Sequence, residues 1–331
     1  MIDPGFPLVE LHRHLDGSVR LETILEIGLK NNLDLPSRTL EGLRPYVQVT
    51  EPKPSILSFF EKFKWLTMAM VDYDACSRIA YENVEDAKNE GIDHIELRFS
   101  PWFMAETNHL DPAGVTEAII DGIQHGRKDH HISVNLIGII SRTYGPEICK
   151  KELDALLSQK DHIVALDLAG DETNFPADLF VEHFKIARDA GWHSCPHAGE
   201  AAGPESIWQA INLLGAERIG HAVSAVEDKT LMEYLAVHQI GVESNITSNV
   251  QTTTVPDYAH HPIKTFLQSG IKASLSTDDP GISAIDITHE YEVAAVKAGL
   301  SPDEIRQSQK NALDCAFLSQ SEKDSLIDSK Q

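Results

Sequence analysis

The sequence predicts an α/β fold, a single (β/α)₈ barrel with extra helices between its first and second strands. Three observations predict it. Eight short β-rich segments recur along the 331 residues, helix-like stretches separate them, and His or Asp residues gather at the ends of several segments, where barrel enzymes place reactive groups.

The eight segments are Leu8–Asp16, His94–Pro101, Val134–Arg142, Ile163–Gly170, His193–Glu200, Arg218–Val223, Gly241–Asn249 and Lys272–Pro280. Several are apolar enough to be covered on both faces, as parallel strands are. Between them, Asp72–Asn89, Val115–Gly126, Leu179–Ala190, Glu205–Leu214 and Leu231–His238 return apolar residues at three- and four-residue spacing, the period of an amphipathic helix. A doubly wound open sheet is the competing arrangement. The stretch from Val19 to Gly91 is longer than one crossover requires, so extra helices are expected there. Within it, Ile56, Phe59, Phe60 and Phe63 fall on one helical face after Pro52 and Pro54, either as a packed helix or as an apolar lid. No repeat, low-complexity tract or linker divides the chain, so residues 1–331 are expected to form one domain.

Composition mainly excludes partners. Lys and Arg total 28 against 51 Asp and Glu, a formal net charge of -23 that repels nucleic acid and anionic lipid. A neutral small molecule suits such a surface better, although the acidity also serves solubility. Met1-Ile2-Asp3-Pro4 opens no signal sequence, and no apolar run is long enough to span a bilayer, so a cytoplasmic protein is expected. Cys76, Cys149, Cys195 and Cys315 are widely separated and form no CxxC pair; they read as reduced, mostly buried thiols. The composition assigns no oligomeric state.

The most informative cluster is His12-Arg13-His14-Leu15-Asp16-Gly17 at the first strand's end. Residues i and i+2 of a strand share a face, so His12 and His14 can converge on one metal ion, although an HxH alone is often incidental. His197 closes the fifth strand in Pro196-His197-Ala198-Gly199-Glu200, His221 the sixth in Gly220-His221-Ala222, and Asp278 the eighth in Ser276-Thr277-Asp278-Asp279-Pro280. Four strand ends turning His or Asp to one rim argue for a metal site. Imidazoles and a carboxylate suit Zn²⁺, with an open position for a water whose pKa the metal lowers. The fourth strand's end, Asp167-Leu168-Ala169-Gly170-Asp171-Glu172, carries no lysine of the kind binuclear barrel hydrolases modify, so one metal is expected.

The ordered motifs HxHLDG, HAGE, GH and STDDP, with Asp167–Glu172 and Ser248-Asn249, resemble the adenosine deaminase family through nearly the whole chain. The resemblance implies hydrolysis of the 6-amino group of adenosine or 2′-deoxyadenosine in purine salvage. It implies that His12, His14, His197 and Asp278 ligate one zinc per subunit, that His221 orients the attacking hydroxide, and that Asp278 also accepts a proton. Glu200 would donate a proton to purine N1. Asp279 would contact N7, the Gly170 N–H would contact N3, and Asp16 would reach the ribose hydroxyls. His14 is placed among the substrate contacts as well, and Ile56, Phe59, Phe60 and Phe63 fall where the family has its apolar gate.

Competing readings are kept for two of these. Asp16 would also serve as a helix cap, Asp279 would also hold the Pro280-Gly281 turn, and the pairs His130-His131 and His260-His261 are expected at the surface. Ala222 stands where the family often has glycine after the histidine. The segment Glu243-Ser244-Asn245-Ile246-Thr247 offers groups to support metal ligands, without individual roles. Adenine or another aminopurine is the alternative substrate, with Asp16 favouring a nucleoside because adenine deaminases commonly carry HLEG. A non-catalytic nucleoside-binding protein is the alternative of a different class. The PCxxC cysteine pair of cytidine-type deaminases is missing from the chain.

Overall fold

In the computed structural model, which describes residues 1–49, 59 and 61–330, all strand pairs are parallel. The strands are β1 (Val9–His14), β2 (His94–Phe99), β3 (Ser133–Ser141), β4 (Ala165–Ala169), β5 (His193–Ser194), β6 (His197–Ala198), β7 (Arg218–His221), β8 (Gly241–Ser244) and β9 (Lys272–Leu275). The ladder runs β1-β2-β3-β4-β5 and then β6-β7-β8-β9. The nine strands make eight staves, because β5 and β6 are one stave interrupted at Cys195-Pro196, where proline has no N–H to give to its neighbour. Cys195 N still donates to Leu166 O at 3.1 Å and Gly220 N to Pro196 O at 3.0 Å, so the stave stays stitched on both sides.

The barrel closes between β9 and β1. Asp278 N donates to His12 O at 2.9 Å and His14 N to Asp278 O at 2.8 Å. An open sheet is thereby excluded. The closing seam is built from the backbones of three residues whose side chains were expected to bind metal. A register shift interrupts β1 between Glu10 and Arg13, the kind of bulge that re-aims side chains beside active sites. Outside the barrel, Val9 and Leu11 pack against Ala312, Leu313 and Ala316.

The expected helices are present as Tyr73–Asn89, Pro112–His130, Val181–Asp189, Pro204–Leu214 and Lys229–His238. The long insertion after β1 contributes Leu21–Lys30, Leu40–Val47 and Phe63–Met68 before the crossover helix. Phe59 and Phe63 are described there, whereas Ile56 and Phe60 lie outside the described residues. Among the described residues no helix is long and apolar enough to cross a membrane.

The predicted strands overrun the observed ones at their C-terminal ends. β8 stops at Ser244 and Ile246–Gln251 is already helix, while β9 stops at Leu275. The chain leaves the ladder to present functional groups, and the backbone there takes unusual conformations: His221, Ala222 and Asp278 have φ of 64°, 51° and 67°. Ala222 thus lies just past the end of β7. It is a fully buried residue in the left-handed region, which costs a residue with a Cβ about 1–2 kcal/mol. Ala222→Gly is expected to raise stability by about 0.5–1 kcal/mol after the loss of unfolded-chain restriction, read as a higher urea midpoint. A lower midpoint would mean that the buried methyl contributes more through packing than its conformation costs.

Candidate active site

The seam and the neighbouring strand ends bring five side chains together. His12 Nε2 lies 3.1 Å from Asp278 Oδ1, His14 Nε2 lies 3.3 Å from the same oxygen, and His14 Nε2 and His197 Nε2 are 3.2 Å apart. Ligand atoms of His12, His197, His221 and Asp278 all fall within 4.8 Å of one another. His221 sits to one side, its Nε2 3.7 Å from Glu200 Oε2 and 3.8 Å from Asp278 Oδ2. Ser248 Oγ donates to Asp278 Oδ2 at 2.6 Å and fixes that carboxylate.

The outer edges of two imidazoles are tied to carboxylates. His12 Nδ1 is 2.7 Å from Glu243 Oε2, and His197 Nδ1 is 2.9 Å from Asp167 Oδ1. Arg98 bridges these acids, donating to Asp167 Oδ2 at 3.0 Å and to Glu243 Oε2 at 2.7 Å. Arg218 continues the chain from Glu243 Oε1 at 2.7 Å to Glu96 Oε2 at 2.6 Å. All five groups are buried. Burial opposes ionisation of the acids, but the guanidiniums and imidazoles outweigh it. Asp167 and Glu243 are held well below the usual carboxylate range, and Glu96 is held at about 2. Ionised carboxylates accept, so the Nδ1 atoms of His12 and His197 carry the protons. Their Nε2 lone pairs then point into the group.

This arrangement fits a divalent cation. His12 Nε2 is buried and has no hydrogen-bond partner among the described residues. The inner edges of the imidazoles and Oδ1 of Asp278, whose other oxygen is held by Ser248, converge at one place, an arrangement that suits a cation.

Glu200 stands on the loop after β6, which is shaped by another acid. Glu172 accepts from the backbone N–H groups of Gly199, Glu200, Ala201 and Ala202 at 2.5–3.1 Å. The Glu200 side chain keeps 15% exposure toward the cavity. Its pKa is pushed up to about 8 by burial and by the negative charges of Asp278 and Glu172. It can therefore hold a proton near neutral pH.

A cavity of about 300 Å³ opens over these groups, lined by His14, Asp16, Gly170, Glu200, His221, Asp279 and, on the apolar side, Phe59, Phe63 and Phe103. Phe63 packs edge-on against Phe103 at 5.5 Å. The two competing roles for acids are not found. The helix Leu21–Lys30 is capped at Arg20, and Asp16 Oδ2 instead accepts from Ser100 N at 3.2 Å. Asp279 precedes the Pro280–Ser283 turn without a side-chain cap bond, and its Oδ1 is buried without a hydrogen-bond partner among the described residues. Gly17 makes room for it, since a Cβ there would lie 1.7 Å from Asp279 Oδ1. Gly170 has φ of 109°, and a Cβ would meet Thr143 Oγ1 at 2.4 Å, so that stretch of backbone admits only glycine.

Of the histidine pairs placed at the surface, His131 and His260 are exposed and His130 is half-buried. His261 corrects the expectation: it is 3% exposed and bonded to Asn249 Oδ1 at 3.1 Å. Sequence reasoning also missed Glu96, Arg98 and Arg218. A charged residue inside an apolar strand segment was their available signal.

A sequence profile of the adenosine deaminase family matches residues 7–330. The adenosine deaminase of Edwardsiella ictaluri is 58% identical over 331 residues, covering 100% of this chain and 99% of its own. Among solved structures, an adenine deaminase from Arthrobacter aurescens superposes with a TM-score of 0.90 at 23% identity, covering 98% of each chain. An amidohydrolase from Burkhoderia ambifaria with bound Zn gives a TM-score of 0.87 at 24% identity, covering 99% of this chain and 93% of its own. At those identities the two structures establish the fold alone. With the profile spanning nearly every residue and a relative alike over its full length, the chain belongs to the adenosine deaminase family.

Proposed function

We propose that the protein catalyses the zinc-dependent hydrolytic deamination of adenosine and 2′-deoxyadenosine to the inosine nucleosides and ammonia. The observation that carries this reading is the convergence of four imidazoles and Asp278 beside Glu200 in one cavity, in a chain of this family. Residues 1–331 act as one catalytic barrel domain. Four free cysteines suit a reducing, cytoplasmic setting.

His12, His14, His197 and Asp278 would hold one Zn²⁺, a donor set of imidazole and carboxylate that this ion favours. When bound, the ion supplies Lewis acidity that makes water nucleophilic near neutral pH. Glu200 donates its proton to purine N1, which withdraws electrons from C6 as the C6–O bond forms. Asp278 takes one water proton and returns it to the amino group as the C6–N bond breaks and ammonia leaves. The proton remaining on the new C6 hydroxyl restores Glu200 to its acid form as the carbonyl forms, while N1 keeps its own. His221 orients the oxygen from the Glu200 side. Asp279 addresses N7, the Gly170 N–H addresses N3, and Asp16 with His14 addresses the ribose. Phe59 and Phe63, with Ile56 and Phe60 as the remainder of the expected gate, keep water from the base.

Ultraviolet monitoring of adenosine, 2′-deoxyadenosine and adenine with purified protein, beside metal analysis, tests the reading. The nucleosides should turn over far faster than adenine, and exhaustive chelation should abolish the rate until zinc is restored. Comparable kcat/KM for adenine would overturn the nucleoside assignment. Glu200→Gln should lower kcat by about 10²–10⁴ with zinc retained, because an amide holds the position but has no acid proton to transfer. Since Glu200 works protonated and its pKa lies at about 8, kcat/KM should hold below that value and fall about tenfold per unit above it. Glu243→Gln should weaken zinc binding by about 10- to 100-fold in chelator competition, since His12 loses its charged acceptor.

A further inference from the structure

Behind His221 runs a chain of hydrogen bonds whose direction is set at its far end by the backbone. Ile263 is the first residue of the helix Ile263–Gln268, so its N–H has no acceptor within that helix. It donates to His261 Nδ1 at 3.3 Å. The buried His261 ring is neutral, its pKa pushed down to about 3 by burial and then by neighbouring His221. With Nδ1 accepting, its one proton sits on Nε2, which faces Asn249 Oδ1 at 3.1 Å. Asn249 is fully buried and turns its Nδ2 to His221 Nδ1 at 3.0 Å. Asn245 Nδ2 lies 3.4 Å from both Nδ1 and Nε2 of the same ring and so favours neither, leaving the closer Asn249 contact to decide. Reversing the Asn249 amide would set its NH₂ against the His261 N–H, so a backbone donor that cannot turn dictates every orientation up to His221.

We infer that His261 and Asn249 are positioning residues that hold His221 with its lone pair at Nδ1 and its proton at Nε2, the edge facing Glu200 and Asp278. The opposite tautomer would aim a lone pair at the Asp278 carboxylate and an N–H at the Asn249 amide hydrogens. The tautomer follows from the hydrogen bonds alone; its catalytic consequence rests on the deaminase reading. In that reaction the Nε2–H keeps a donor beside the oxygen that attacks C6.

The test is ring ¹⁵N NMR of the full-length enzyme labelled at histidine, with and without zinc, the His221 signals being identified by their loss in His221→Gln. The expected spectrum has an unprotonated Nδ1 and a protonated Nε2 at His221. Asn249→Asp replaces the amide by a group that only accepts, so the His221 proton should move to Nδ1. Its kcat should then fall by at least about tenfold, with KM and zinc content within about twofold of the parent. His261→Gln keeps an N–H close to the position of Nε2 and should retain kcat within about threefold, whereas His261→Phe should lose about tenfold. A wild-type spectrum with the proton on Nδ1 overturns the inference, and this measurement decides even where a variant does not fold. Unchanged ring shifts and kcat in a folded Asn249→Asp enzyme overturn it as well. A wild-type enzyme with the expected spectrum but no turnover of adenosine would instead overturn the deaminase reading and leave the tautomer assignment standing.

Discussion

Beneath the mouth of the barrel, the Nδ1 edges of His12 and His197 rest on carboxylates that two buried guanidiniums hold in place. Burying an ion costs several kcal/mol, and removing one partner from such a network costs about 3–5 kcal/mol by stranding the rest. Here each charge has more than one partner, and the groups come from β2, β4, β7 and β8, so the network also joins the staves across the barrel. Glu96, Asp167 and Glu243 outnumber Arg98 and Arg218 by one negative charge. Asp278 adds another. This negative charge lies beside converging imidazole edges, a combination of donors and field that suits a divalent cation.

That constraint explains the backbone as well as the side chains. His12, His14 and Asp278 converge because the barrel closes through their own peptide groups, and this closure coincides with the bulge in β1 and the left-handed conformation at Asp278. Unfavourable conformations of this kind persist where surrounding contacts over-determine them. The surrounding contacts are visible: Ser248 grips Asp278, and Gly17 allows Asp279 to pass within a distance that no other residue would permit.

The fold was legible from periodicity, and the metal-binding group from the chemistry of its ligands. His12 and His14 share a strand end, and their partners stand at other strand ends, so residue type and position within a repeat were enough to suggest them. Strand boundaries were less legible because β-rich composition continues into residues such as Thr277, which leave the ladder and bond to Glu10 instead. Arg98 and Glu96 sit in a segment whose burial depends on closure of the whole barrel. Their pairing with Arg218, Asp167 and Glu243 joins residues 69 to 145 positions apart, which no local pattern encodes. His261 was hidden for a similar reason. It adjoins exposed His260 in a loop, and only the return of that loop over Ile246–Gln251 buries it against Asn249.

The same electrostatic balance orders the acids that face the cavity. Asp16, Glu200, Asp278 and Asp279 share one small space, and like charges so close do not all ionise together. Asp278 is the one held ionised: burial opposes this, but His221, His12 and His14 draw its pKa well below the carboxylate range. Its charge, added to the burial of its neighbours, pushes Glu200 up to about 8 and Asp279 well above the usual value. Adenine offers lone pairs at N1, N3 and N7, and in the proposed complex each meets a donor: Glu200, the Gly170 N–H and Asp279. Two of those donors are carboxylic acids that an open, solvated site would leave ionised. In that complex, recognition of the base and activation of water would share one origin, the negative charge held on Asp278 by the imidazoles around it.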